Sequence, residues 1–179
     1  MKKLLYLIFI CFLLGLTGCT SKKEEAIAVI TEIPCETAGI SFSLNGLWVI
    51  QEETETKTIA KEGQTIALSA YKEESGSGIQ VVYEDLTKTD GGTLIRMDDY
   101  VTGIQEQLKV SEEYKYSCSE ISVEKLHGNV YETFSAFSSE LGGKQQYYIR
   151  RQDDTMIIMV ITVFGEDNLE DILSLMSPV

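Results

Sequence analysis

"TMIIMVITVF", residues 155–164, is the stretch whose reading decides the fold. A strand with one face in water alternates apolar and polar residues. This one is apolar on both parities almost throughout, the pattern of a strand covered on both faces. It belongs at the centre of a sheet with a layer on each side. Just before it, Asp153-Asp154 reads as a two-residue loop, preceded by a strand over residues 144–152 and a Gly142-Gly143 turn. Just after it, Leu169, Ile172, Leu173 and Met176 share one side of an expected helix over residues 166–176. The acids at the start of that helix suit its dipole.

Further toward the N-terminus, "ISFSL" (40–44) alternates, Asn45-Gly46 supplies a tight turn, and "LWVIQEE" (47–53) resumes an extended pattern, which predicts a hairpin. "TIALSAY" and "IQVVYEDL" form a second pair across the Glu/Ser/Gly loop at 73–78. The period then changes. Met97, Val101, Ile104 and Leu108 recur at helical spacing and predict an amphipathic helix over 96–109. Extended segments return over 117–126 and 129–138. The expected class is α+β, a meandering antiparallel sheet with helices covering both faces.

The first residues concern address rather than fold. Met1, Lys2 and Lys3 precede an apolar run from Leu4 to Leu16. That is short of the about 20 residues a membrane-spanning helix needs, and it matches the core of an export signal. Leu16, Thr17, Gly18 and Cys19 end the run with an aliphatic residue, two small residues and a cysteine. This resembles the lipobox of bacterial lipoproteins, and the resemblance implies cleavage before Cys19 and diacylglycerol on its thiol. Two or more acyl chains, at about 0.8 kcal/mol per buried methylene, anchor a protein stably. The expected organisation is a signal peptide at 1–18, a lipid-anchored tether at 19–38 and a domain at 39–179. Within the tether, "AIAVITEIP" (26–34) is too apolar for a plain linker, and either docks on the domain or awaits a partner.

The chain carries 28 acidic and 15 basic residues, a net charge of −13, and without residues 1–18 about −15. Such a surface lacks the basic footprint of nucleic-acid binding and is repelled by anionic headgroups. Lys22 and Lys23 favour anionic lipid beside the anchor.

"ISFSLNGLW", a central helix, a long closing hairpin and a C-terminal helix together resemble the PsbP-like superfamily, including its DcrB-like members. Phe42, Ser43, Leu44 and Trp48 fit a Phe-Ser-Leu-Pro, gap, Trp opening, with Asn45 where proline is usual. The resemblance covers about 39–179. It implies an α/β/α sandwich serving as an accessory or binding module, with no shared catalytic site. PsbP itself assists photosystem II assembly and ion retention.

An enzyme needs a nucleophile with a base, a metal set or a phosphate cradle. The single histidine, His127, lies nine residues after Cys118, an odd spacing that opposes the two on one strand. Cys35, Cys118 and His127 match no zinc spacing. "GSG" at 76–78 reads as a hairpin loop. The acidic pairs Asp98-Asp99 and Asp153-Asp154, and the set Glu166, Asp167, Glu170 and Asp171, read as turns and helix starts. In an exported protein Cys35 and Cys118 are either a disulfide or two separate thiols. If joined, they would stabilise by roughly 4 to 5 kcal/mol. Tyr147 and Tyr148, like Arg150 and Arg151, point to opposite faces of one strand, and Tyr and Arg favour interfaces.

The expectation is a lipid-anchored, non-catalytic binding or accessory module on the extracytoplasmic side of the cell membrane. No metal or cofactor is expected. The membrane, through Cys19, and a protein or other envelope component are its partners. A divalent-cation-responsive module (calcium or manganese) is the competing reading, and an undetected hydrolase a further one.

Overall fold

The computed structural model describes residues 29–51, 60–111 and 114–179. The signal segment, Cys19 and the first part of the expected tether lie outside the described residues.

Residues 155–163 form β10 (Thr155–Val163), which pairs antiparallel with β5 (Gly78–Asp85) on one side and β9 (Gly143–Gln152) on the other. The large sheet runs β3 (Trp48–Ile50), β4 (Gln64–Lys72), β5, β10, β9, β8 (Asn129–Ser138). Along the outer edge of β8 lie first β7 (Ser122–Leu126) and then β6 (Tyr116–Cys118). The two faces of β10 enter different cores. Ile157, Met159 and Ile161 enter one, and Met156, Ile158 and Val160 the other.

One face is covered by α1 (Met97–Lys109), which buries Tyr100, Val101, Ile104 and Leu108 against Phe134, Tyr147, Ile149 and Ile158. The apolar stripe expected at helical spacing is thus the covering side. Asp98 and Asp99 in the first turn and Lys109 in the last complement its dipole.

The other face corrects the expected sandwich, because its cover is mainly β-sheet. β1 (Ile30–Cys35), β2 (Ile40–Asn45) and β11 (Met176–Pro178) form a separate three-stranded antiparallel sheet in the order β1, β2, β11. Among the described residues the only α-helix on this side is α2 (Leu169–Leu173), a little over one turn. It starts late because Asn168 caps it, accepting from the Asp171 amide at 2.8 Å. It ends early because the chain must straighten into β11. The molecule is therefore mostly β, with one long helix among the described residues and a sheet-on-sheet core opposite it.

The hairpin expected across Asn45-Gly46 is also corrected. β2 pairs with β1 and β11, whereas β3 pairs with β4, so the turn carries the chain from the small sheet to the large one. Asn45 holds the turn by accepting from the Leu47 amide at 3.1 Å. The strict alternation of β2 sends Ile40, Phe42 and Leu44 into the inter-sheet core. β1 lies within the segment read as tether, so the apolar stretch there docks as a strand from Ile30 onward.

Two truncations, one in each core, test this arrangement. Phe42→Ala should cost about 3–5 kcal/mol and Ile158→Ala about 2–5 kcal/mol. Both should lower the urea midpoint of the soluble domain with an unchanged m-value. A loss well under 1 kcal/mol for either would mean that its layer is not packed as described.

Candidate functional site

The consecutive residues Arg150 and Arg151 leave β9 toward opposite faces, as their parity demands, and each clamps a one-turn 3-10 helix. Arg150 Nη2 donates to the carbonyls of Thr37 (3.2 Å) and Ala38 (3.0 Å) in the turn Glu36–Ala38, and Nη1 donates to Gln152 Oε1. Arg151 donates from Nη1 to Ile95 O (3.1 Å) and from Nη2 to Thr93 O (3.0 Å), holding the turn Gly92–Leu94 that leads into α1. Its Nε reaches Asp153 O at 2.7 Å, and Nη2 pairs with Asp154 at 3.3 Å. Such turns end in carbonyls without internal partners, which a planar, permanently charged fork satisfies.

Beneath the turn Glu36–Ala38, Tyr83, Ile157 and Arg150 form one row across β5, β10 and β9. The Arg150 guanidinium stands 5.7 Å from the ring centre of Tyr131 on β8. Cys35 is buried here, and burial pushes its thiol up to about 11, with the nearby Tyr83 hydroxyl acting in the opposite direction. Burial therefore disfavours its thiolate. The Tyr131 hydroxyl and Arg150 Nε are buried without a hydrogen-bond partner among the described residues. On the opposite face the Tyr100 hydroxyl donates to Glu84 at 2.8 Å, and burial, then the Glu84 charge, raises its pKa.

A second polar cluster ties loops together at the other end of the sheet. Lys72 donates to Asp167 Oδ1 at 2.7 Å and Ser75 to Oδ2 at 2.6 Å, with the Lys72 ammonium 5.5 Å from the ring centre of Trp48. Burial works against the Asp167 charge. The hydrogen bonds from Lys72, Ser75 and Ser77 outweigh it and hold the carboxyl below its ordinary value. Beside this cluster the Phe164 ring packs on Gly143, where any Cβ would overlap it.

The residues singled out in the sequence are placed as follows. Tyr148 lies in the inter-sheet core and Tyr147 under α1, 1% and 3% exposed, with Tyr147 stacked on Phe134 at 4.5 Å. Burial, then the Glu124 charge, pushes Tyr148 up to about 12. Cys35 and Cys118 are both free, and they pack against opposite faces of the large sheet. His127 sits at positive φ in the β7–β8 turn, at the far end of β8 from Cys118. No group of three or more His, Cys, Asp or Glu side chains suited to a metal occurs among the described residues. The carbonyl clamps and the Lys72–Asp167 cluster gave no signal in the sequence, since both join segments distant along the chain.

No protein-family model matches the chain, and no curated protein matches it. Among solved structures, that of cyanobacterial PsbP from Synechocystis sp. PCC 6803 is similar. The TM-score is 0.53 at 12% identity, over 93% of this chain and 99% of that one. At that identity the likeness is one of fold: the domain has a PsbP-like fold.

Asp167→Asn should destabilise the domain by about 1.5–3 kcal/mol at pH 7, the scale of a charged hydrogen bond. Because the native carboxyl titrates below its unfolded value, the wild-type advantage is complete above about pH 5. It disappears as pH falls through the native pKa. Urea midpoints of both proteins from pH 7 to 3 should converge at the acid end; parallel curves would remove Asp167 as the source.

Proposed function

We propose that the chain is a lipoprotein of the extracytoplasmic membrane surface, held by acyl chains on Cys19, whose PsbP-like domain acts as a non-catalytic binding or accessory module. The observation that carries this reading is the run Leu16-Thr17-Gly18-Cys19 at the end of a short apolar segment that follows Lys2 and Lys3. Length separates such a run from a membrane span. Among the described residues no helix is long and apolar enough to cross a membrane.

The PsbP-like fold supports the accessory part of the reading by analogy of fold. The commitment of Arg150 and Arg151 to backbone carbonyls and the burial that disfavours the Cys35 thiolate support the non-catalytic reading. The acidic surface favours solubility beside the membrane.

The test is metabolic labelling with a clickable fatty acid. Wild type should label, run at the mass of the chain without residues 1–18 plus lipid, and partition with membranes. Cys19→Ala should do none of these. Continued incorporation of fatty acid into the variant would remove Cys19 as the anchor. Crosslinking in intact cells, followed by identification of what co-purifies from the membrane fraction, then addresses the binding role.

A further inference from the structure

The domain has two unlike ends, and the chain enters at only one of them. β9 runs from Gly143 to Gln152, about 30 Å at ordinary strand rise. At the Gly143 end lie Val163, Gly78 and Tyr71 through successive pairings. Trp48 pairs with Lys72 there, so the Asn45–Leu47 turn belongs to the same end. Ile30 pairs with Asn45, so β1 starts at this end as well. At the Gln152 end lie the loop at Asp153-Asp154, the turn at His127-Gly128 and the Arg-held turns Glu36–Ala38 and Gly92–Leu94.

The strand start at Ile30 also sets the length of the tether. Only residues 20–29 separate Cys19 from it. Ten residues reach at most about 35 Å and as a flexible coil about 17 Å. Both values are shorter than a tether ending at residue 38 would give, and the coil value is less than the about 30 Å length of β9. The entry point is apolar and uncovered, with Val29 61% and Ile30 64% exposed. Exposed Glu73, Glu74 and Glu166 at the same end oppose penetration into an anionic membrane.

We infer that the domain stands end-on to the bilayer. The end carrying Ile30, the Asn45–Leu47 turn and the loops at 73–77 and 164–168 is held at the lipid headgroups, with Val29 and Ile30 in contact with the lipid surface. The end carrying Leu94, His127 and Asp153 is presented outward, away from the lipid. This rests on the proposed anchor at Cys19. The orientation itself comes from where β1 begins.

The experiment uses the lipidated protein in nanodiscs of phosphatidylcholine doped with a gadolinium-chelating headgroup lipid, read as amide line broadening by NMR. Mass spectrometry of the same sample establishes the lipid on Cys19. Amides of Gly46, Gly76 and Gly165 should broaden several-fold more than those of Leu94, Gly128 and Asp153. A ten-residue Gly-Ser insertion between residues 28 and 29 should reduce that contrast. Cys19→Ala protein added to the same discs should show no broadening. Equal broadening at both ends, or none at either, in protein that carries the lipid would overturn the orientation while leaving the anchor intact. Absence of lipid on Cys19 would overturn the anchor and the orientation with it.

Discussion

The burial of β10 on both faces is the constraint from which the rest of the structure follows. A strand reading Met156, Ile157, Ile158, Met159, Val160, Ile161 has no solvent side, so each face of the sheet around it needs its own layer. The chain supplies two dissimilar layers. α1 places a single apolar stripe over β8, β9 and β10. On the other face, β2 places Ile40, Phe42 and Leu44 over Ile157, Met159 and Ile161. β9 lies next to β10 and must serve both layers. Its two arginines therefore fasten a turn in each, and its two tyrosines fill one core apiece.

Local patterns in the sequence were sufficient for the elements that bury a regular stripe. β10, the preceding strand and α1 fall where doubled apolar parity, the Asp153-Asp154 loop and the spacing of Met97, Val101, Ile104 and Leu108 put them. What those patterns do not encode is partner choice. Alternation in "ISFSL" says that one face is buried, and that holds for β2 whether it pairs with β3 or with β1 and β11. β11 is three residues long and includes Pro178, too short to show any period. The second covering layer, built from β1, β2 and β11, was therefore hidden, and a helix stood in for it. The capping of α2 by Asn168 explains why the acids at 166 and 167 precede the helix instead of lying in it.

The arginine pair shows the same division. Parity alone sends Arg150 and Arg151 to opposite faces. The turns they clamp lie more than fifty residues away in sequence and offer backbone carbonyls, which carry no residue signature. The lysine at 72 and the aspartate at 167 are likewise unremarkable until the β4–β5 loop and the loop after β10 meet. Polar residues that join distant loops are read from coordinates, whereas those that cap their own element, such as Asn45 and Asn168, are legible from their neighbours.

The small sheet has a further consequence, because it is assembled from the two extremities of the described chain. β2 lies between β1, the first strand, and β11, the last, with Phe42 opposite Met176. One edge of β2 is therefore closed by β1 and the other only when Met176–Pro178 docks against it. A contact of such long range closes late, since most of the loop entropy must be spent before it forms. The small sheet is thus a clasp that joins the start of the described chain to its end, and loss of either outer strand would leave an edge of β2 unpaired.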